Sequence, residues 1–413
     1  MRRRRFLHTT LGGAAAMGAA GWNGAGDRPD RPHPQSVRDL FPRLEGETFL
    51  NGAGGTPLGD FTDEAIQRYV DMMRLGPGDG RGAWWGDVWG RVRGRFADLI
   101  GADAAEVGLV ESTKAGEQLV LDALPGLRSG ANVVTNDLHF SGSLHNLEGL
   151  RRAGVDVRFV PSDDFRVSLD RMADAIDDRT ELVTVSLVSN VTGHVEDIRA
   201  LADLAHGHGA LLFADIIQAA GIVPIDVRSM GIDVAACSSY KWLYGIHGAG
   251  FLYVAREHQG AAIADDRFPG TARRRYPPFA VDGEAGTLSF APRESADRYR
   301  PGHVNYLGYA AVDAGLGFIA EHGVESMLAH TVRLNRRLLD QLDRDRYRVL
   351  SSHLYASPIL ALAVPDAEGL RTRLQAADVV IGVGGDVHNL ARISPAIYNT
   401  EEDVDRLAEV LSL

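Results

Sequence analysis

The chain of 413 residues exceeds the ~250–300 residues at which a single core stops growing, so it suits two or three ordinary domains or one large α/β unit. Hydrophobic residues make up 45%, charged residues 24% and glycine 47 positions, a globular profile that excludes a disordered or collagen-like chain. With 43 basic against 55 acidic side chains the formal charge is −12, so the surface as a whole repels nucleic acid and anionic lipid; the one cysteine, Cys237, excludes an intrachain disulfide framework and any multi-cysteine zinc or iron–sulfur site.

Residues 1–26 read as a targeting peptide. Four arginines, Arg2 to Arg5, precede Phe6-Leu7 and a weakly apolar Ala/Gly run that is too short and too small-residued to span a bilayer. Arg3-Arg4-Arg5-Phe6-Leu7 resembles the twin-arginine export signal, associated with proteins folded before crossing, and cleavage is expected near residues 20–27. The chain is therefore expected in the periplasm or outside the cell if the signal is used, and in the cytoplasm otherwise. No later apolar stretch approaches the about 18–20 residues a membrane helix needs, so the mature chain is expected to be soluble.

Residues 27–60 open with a polar, proline-containing stretch and are expected to pack on a small C-terminal domain. Buried-type strands are then predicted at Val107–Glu111, Asn132–Asn136, Asp156–Val160, Leu182–Val188, Leu211–Asp215, Val234–Ser238 and Gly250–Val254. Between them, amphipathic helices are predicted at Gly116–Leu124, Gly142–Arg152, Leu169–Ile176 and Asp197–His206. Strands separated by crossover helices point to an α/β fold with a mostly parallel sheet covered on both faces, spanning a large domain over 61–300. The stretch Phe268–Arg300, rich in Pro, Arg and Gly, predicts a long loop. Long helices at Gly308–Glu321 and Val324–Arg344, then strand, strand, helix, strand, strand, helix, predict a smaller α+β domain over 301–413.

The segment from Leu211 to Val254 carries the chemistry. Asp215 ends an apolar strand, where open parallel sheets place ligand chemistry, although a single carboxylate there more often caps the following helix. Lys241 follows the strand ending at Ser238 and precedes Trp242. A lysine entering an apolar, glycine-lined pocket is costly unless it is paired or loses its charge, and condensation with an aldehyde removes the charge. Pyridoxal phosphate (PLP) needs such a lysine and an acidic partner for its pyridine nitrogen; Lys241 and Asp215 have the right types on successive strand ends.

Eight segments in register, Phe49–Gly59, Glu111–Gln118, Thr135–Gly142, Ser189–Gly193, Ala214–Gly221, Ser238–Trp242, Arg300–Gly308 and Arg392–Thr400, are similar to the class V aminotransferase family of PLP enzymes. That family holds cysteine desulfurases, selenocysteine lyases, isopenicillin N epimerase-like proteins and, more distantly, kynureninases. The resemblance implies PLP fold-type I, with Lys241 as the Schiff-base lysine, Asp215 on the pyridinium nitrogen and Gln218 on the phenolate oxygen. It makes Thr113, Lys114, Ser238 and Tyr240 phosphate contacts, the first two at a helix start whose N–H groups suit an anion. It places Phe140, or alternatively His139, against the pyridine ring. Asn190 matches a position facing substrate or phenolate oxygen, and Arg392 matches the arginine that pairs with the substrate carboxylate. Asn305 and His303 match a loop reaching the neighbouring subunit's phosphate or substrate, which implies a homodimer; His303 stands where relatives mostly have threonine.

The cofactor supplies the electron sink, and the protein selects which bond is broken. Lys241 is the natural proton carrier at Cα, and His139, His145, His247 and His303 are candidate second acid–bases. The expected reaction is a lyase or epimerase-like one on an amino acid or derived metabolite with a free carboxylate. Transamination and kynureninase-like C–C hydrolysis are the enzymatic alternatives, and a non-catalytic binder the third class. Desulfurases of the resembling kind use a thiol shortly before the carboxylate-binding arginine. Ile381–Arg392 has none, so that activity is expected to be excluded, with Cys237 a packing residue beside the cofactor.

Overall fold

The computed structural model describes residues 36–264, 271–274, 288–291, 293–385, 387 and 389–413. The export-type segment 1–26 and residues 27–35 lie outside the described residues. In chain order the elements begin with β1 (Thr48–Phe49), α1 (Asp60–Leu75), α2 (Arg81–Ile100), β2 (Val107–Val110), α3 (Thr113–Ala123), β3 (Asn132–Asn136), α4 (Ser141–Arg152), β4 (Asp156–Val160) and α5 (Leu169–Ala175). There follow β5 (Thr180–Ser186), α6 (Ile198–Gly207), β6 (Leu211–Asp215), β7 (Val234–Ser238), β8 (Gly250–Val254), β9 (Thr271–Arg274) and β10 (Leu288–Ala291). The chain closes with α7 (Tyr306–His322), α8 (Val324–Gln341), β11 (Arg348–Val349), β12 (Leu360–Ala363), α9 (Ala367–Ala376), β13 (Val379–Val380), β14 (Gly382–Val383), β15 (Leu390–Ile393) and α10 (Glu401–Ser412).

The main sheet has seven strands in the order β2-β8-β7-β6-β5-β3-β4. Strands β3 to β7 pair in parallel, whereas β8 runs antiparallel to both β7 and β2. Every residue of β2, β3, β6, β7 and β8 is buried, which is why these strands read as near-continuous apolar runs instead of alternating ones. Strand β5 ends two residues before its predicted end because Val188 leaves the ladder to bridge Val195. Helix α3 starts three residues earlier than its apolar repeat: the Ser112 hydroxyl accepts the Ala115 N–H at 3.1 Å and caps the first turn.

Helices α1 and α2 come in addition to those the apolar pattern predicts. Gly82, Gly86, Gly90 and Gly94 weaken the helical signal of α2, each by roughly 0.5–1 kcal/mol against alanine. The helix is held by tertiary packing of Val88, Val92, Phe96 and Ile100, one per turn, with Phe96 stacked on Phe251 at 4.1 Å. Helix α7 adds Tyr309, Val312, Leu316 and Ile319 to the core beneath the main sheet. Its buried Asp313 receives Arg91 and Arg95 of α2 at 2.7 and 3.0 Å.

The Phe268–Arg300 stretch differs from its prediction as a loop. Its described parts β9 and β10 pair antiparallel, Thr271 opposite Ala291 and Arg274 opposite Leu288, so each strand satisfies the other's backbone groups. The C-terminal sheet, β11-β12-β15-β14, is antiparallel throughout and packs Leu362 and Ile393 with Leu338, Leu370 and Leu407 from α8, α9 and α10. Between α9 and α10 three short strands stand where two were predicted; β13 joins no C-terminal strand but pairs in parallel with β1, fastening residues 48–49 beside that sheet.

Gly221, with φ of 95°, brings the turn after β6 so close to Trp242 that an added Cβ would lie 2.3 Å from the Trp242 carbonyl oxygen. Gly221→Ala is therefore expected to destabilise the protein by at least about 1–3 kcal/mol, the cost of a non-glycine residue at positive φ. Urea unfolding reads this as a lower midpoint at unchanged slope; an unaltered midpoint would show that the turn relaxes freely.

Candidate active site

The carboxyl ends of the parallel strands share one edge of the main sheet, and the chemistry-bearing side chains collect there. Asp215 ends β6, Ser238 ends β7, and Thr113 opens α3 directly after β2. Thr113 and Ser238 lock these elements together: the Thr113 N–H donates to Ser238 Oγ at 2.8 Å and the Ser238 N–H to Thr113 Oγ1 at 2.9 Å. The start of α3 is thereby fixed over the end of β7, with Lys114 exposed beside it. Oriented hydroxyls, first-turn N–H groups and a nearby ammonium suit a phosphate.

Lys241 is pinned through its backbone. Its carbonyl accepts from the Thr56 hydroxyl at 2.8 Å and from the Tyr244 N–H at 3.0 Å. The side chain is only 7% exposed, and among the described residues Nζ makes no hydrogen bond or ion pair; it lies 5.6 Å from the centre of the Tyr240 ring. Burial is the main cause that lowers this amine from the ordinary lysine value to about 8; Asp215 opposes the fall and Arg392 adds to it. A buried, unbonded amine with so low a value is a nucleophile awaiting a covalent partner.

Asp215 is 2% exposed and its Oδ1 accepts from the Ile217 N–H at 2.9 Å. Burial raises it above the usual carboxylate range, against the pull of His139, the Ile217 N–H and Lys241. A carboxylate that sequence reasoning allowed as a helix cap thus faces the site's charges from the floor of the sheet. Gln218 is held at both ends of its amide: Nε2 donates to the Ala53 carbonyl and Oε1 accepts from the Trp242 indole, both at 3.0 Å. One Nε2 proton remains for a ring oxygen.

Phe140 and Arg392 face one cavity of about 190 Å³, together with Asn190, Val191, Leu390 and the glycines of the β14–β15 turn. Gly142 makes room for the Phe140 ring, since a Cβ there would lie 2.5 Å from it. Arg392 lies on β15, and its Nη1 donates to the Asn190 carbonyl at 2.7 Å, fixing the guanidinium toward the cavity mouth. His139, the alternative to Phe140 against a cofactor ring, is 1% exposed, with Nε2 3.0 Å from Glu117 Oε1 and Nδ1 2.9 Å from Ser186 Oγ. Bonds to ring nitrogens lie in the ring plane, so they fix the orientation of the imidazole.

Asn305 and His303 stand at the start of α7. Asn305 Oδ1 caps that helix through the Gly308 N–H at 3.0 Å, its Nδ2 donates to the His247 carbonyl at 3.2 Å, and His303 Nδ1 lies 2.7 Å from the Tyr306 hydroxyl. Among the described residues neither hydrogen-bonds to Lys241, Asp215 or Arg392 of its own chain. His145 is exposed, and exposed His247 stacks on Tyr240 at 4.1 Å. Cys237 is fully buried, its Sγ donates to the Ser238 carbonyl at 3.2 Å, and burial holds the thiol protonated.

Sequence reasoning assigned no role to the loop Asn51–Thr56, to Ser394 or to the Glu117–His139 pair. The loop walls the site: Ala53 donates its N–H to Ser394 Oγ at 2.9 Å, and a Cβ on Gly52 would lie 2.9 Å from the Trp242 ring. The signal for Glu117 was a carboxylate on the α3 face that also carries buried Val120 and Leu121.

A buried lysine with a lowered value, a buried acid at the adjacent strand end, and a hydroxyl-lined helix start define a PLP-dependent enzyme of fold-type I. The chain belongs to the class V aminotransferase family: residues 85–407 match the family described as Aminotransferase class-V. It is 28% identical over 382 residues to the uncharacterized aminotransferase YcbU of Bacillus subtilis, covering 90% of this chain and 95% of that one. It is 29% identical over 310 residues to a probable cysteine desulfurase of Methanothermobacter thermautotrophicus, 74% of each. Its fold resembles the cystine C–S lyase C-DES, solved with glycine covalently linked to its PLP cofactor, with a TM-score of 0.79 at 20% identity over 92% of this chain and 99% of that one.

These relatives correct one expectation. A lyase or epimerase-like enzyme standing outside the cysteine desulfurases was inferred from the missing thiol in Ile381–Arg392, yet proteins named cysteine desulfurase match about three quarters of the chain. The physical reason is that one residue type missing from one loop removes only the step it performs, whereas the match to these relatives rests on the chain as a whole.

The value of Lys241 has a consequence for stability. The folded state binds this proton less tightly than the unfolded chain, so the cost of burying the ammonium is complete below about pH 8 and fades as pH rises toward the ordinary value of 10.5. In cofactor-free protein, Lys241→Met is expected to stabilise by up to about 3 kcal/mol at neutral pH, with the difference narrowing at alkaline pH. Urea unfolding of both proteins across that range checks it, and a pH-independent difference would contradict the burial argument.

Proposed function

We propose that this protein is a PLP-dependent enzyme that acts at the Cβ–sulfur bond of cysteine or a close relative, held through its carboxylate by Arg392. The observation that carries this reading is the convergence of three ionisable groups: Asp215 and Arg392 both act electrostatically on Lys241, which has no hydrogen-bond partner of its own among the described residues. The names of the desulfurase relatives and of the C–S lyase sharing the fold support the choice of bond.

When bound, the cofactor withdraws electrons from the bonds around the amino acid's Cα. The chain's own residues do the rest. Thr113, Lys114, Ser238 and Tyr240 would hold the phosphate, and Asp215 the pyridine nitrogen. The free proton of Gln218 Nε2 would reach the ring oxygen, and the Phe140 face would support the ring. Lys241, whose amine is lowered to about 8, would hold the cofactor and would then be the group placed to carry the proton at Cα. Arg392 and Asn190 orient the substrate.

A homodimer, in which Asn305 and His303 of each copy serve the other's site, fits their position at the start of α7 away from Lys241. The arginine-rich start supports export of the protein already folded around its cofactor. Transamination is the second reading, favoured by the aminotransferase relative that spans 95% of its own length.

Purified holoenzyme given L-cysteine is expected to release sulfide together with pyruvate and ammonia, or, with an added thiol as sulfur acceptor, to form that thiol's persulfide together with alanine. Arg392→Ala is expected to lower kcat/KM about 10–100-fold, the loss of a charge-assisted carboxylate contact. Amino-group transfer to an added keto acid with no sulfur release would replace this reading by transamination.

A further inference from the structure

The loop between β5 and α6 forms the wall of the cavity opposite the C-terminal sheet, since Asn190 and Val191 line it together with Arg392. It is a tight excursion from the main sheet: Val188 and Val195 bridge its ends, and the Ser189 N–H donates to the His194 carbonyl at 2.8 Å. Hydrogen bonds to the C-terminal part of the chain fasten this loop at three points. Arg392 Nη1 donates to the Asn190 carbonyl at 2.7 Å. The Ser351 hydroxyl donates to the Thr192 carbonyl at 2.5 Å and accepts at 2.8 Å the N–H of Ala361, which is the register partner of Arg392. At the third point the Val195 N–H donates to His353 Nδ1 at 3.2 Å.

The third fastening differs from the others because its acceptor can be protonated near neutral pH. An Nδ1 that accepts the Val195 N–H belongs to a neutral ring with its proton on Nε2; in the imidazolium both nitrogens donate, and a donor would face a donor. The Ser352 hydroxyl, 3.0 Å from the same nitrogen, can rotate to accept, whereas the backbone N–H of Val195 cannot turn away. The half-buried His353 ring stands 5.1 Å from that of His194, whose Nδ1 lies 3.3 Å from Ser352 Oγ. Arg166, from the turn before α5, and Glu196, whose Oε1 accepts from the Asn136 amide of β3 at 2.8 Å, are the charged groups that face it. In the same turn Asp164 is engaged by Arg348 of β11 at 2.7 Å. Burial lowers His353 from its ordinary value, His194 and Arg166 add to the fall, and Glu196 opposes it. The neutral ring is therefore the resting form at neutral pH, and the proton arrives as the solution turns acid.

We propose that His353 is a positioning residue for substrate binding: as a neutral acceptor it fastens the loop at Val195, so that Asn190 keeps the Arg392 guanidinium aimed into the cavity, and its protonation in acid releases the loop. This rests on the reading of Arg392 as the residue that holds the substrate carboxylate. His353 acts through Val195 and does not itself line the cavity.

The test is the affinity of the holoenzyme for glycine, read from the change in visible absorbance on titration between about pH 5 and 8, the range over which a histidine changes charge. Glycine carries the carboxylate and has no Cβ, so the readout does not depend on which bond the enzyme breaks. Each affinity is compared with that of His353→Asn, whose Oδ1 takes the place of Nδ1 as acceptor and does not titrate; the comparison cancels the pH dependence of glycine's own amino group. At neutral pH the two proteins are expected to bind glycine alike, and toward acid the wild type is expected to fall behind by about 3–10-fold, the loss of one hydrogen bond. His353→Ala is expected to be weaker than His353→Asn by that factor at every pH, with KM for L-cysteine raised and kcat little changed. Where His353→Ala does not fold, wild type against His353→Asn decides alone. A wild-type to His353→Asn ratio that stays constant with pH, or a His353→Ala that binds glycine as well as wild type, overturns the proposal while leaving the Arg392 reading intact if Arg392→Ala still weakens glycine binding. If Arg392→Ala also binds glycine unchanged, the carboxylate reading falls together with it.

Discussion

Burial of the Lys241 amine is the constraint from which the rest of the site follows. An ammonium moved out of water loses several kcal/mol of solvation, and a protein that needs a neutral, reactive amine near neutral pH uses that penalty. The penalty requires a dry pocket, and the chain builds one from distant parts. Trp242 and the loop Asn51–Thr56 close one side, the β7 strand end another, and Tyr240 stands beside the nitrogen. The same burial raises Asp215 above the usual carboxylate range, against the pull of His139, the Ile217 N–H and Lys241.

Parallel strands explain why such groups meet at all. Strands β3, β5, β6 and β7 end along one edge, and α3 begins at that same edge after β2. Each loop therefore leaves the sheet where its neighbours do, and residues separated by more than a hundred positions, such as Thr113 and Ser238, exchange hydrogen bonds directly. The C-terminal sheet adds Arg392 from outside this system. Its guanidinium is anchored to the Asn190 carbonyl, so the C-terminal sheet is joined directly to the loop after β5.

The glycine-rich turn before Arg392 shows how a single missing group can mislead. A thiol is easy to count in a sequence, and its absence suggested that a whole activity was missing. Around it Arg392, Asn190 and Phe140 face one cavity, and the chain as a whole matches relatives that bear the desulfurase name. What a missing residue type excludes is the step that residue performs, and not the family to which the rest of the chain belongs.

Much of the large domain was legible because its strands are buried on both faces and therefore appear as short apolar runs; β3, β4, β6, β7 and β8 match their predicted bounds to the residue. Lys241 and Asp215 could be singled out for a related reason, since a charged side chain at the end of such a run stands against the trend of its surroundings. Helices α1 and α2 were not legible, because glycines dilute the repeat in α2 and its stability comes from contacts with α7 and the sheet. The partner of His139 was also out of reach: Glu117 lies 22 positions away, and sequence spacing carries no record of which buried charge will find which. The amino-acid sequence by itself determined the kind of chemistry, through residue types at strand ends. Only the folded arrangement determined the electrostatics, because charge, burial and distance act together on atoms that the chain order keeps far apart.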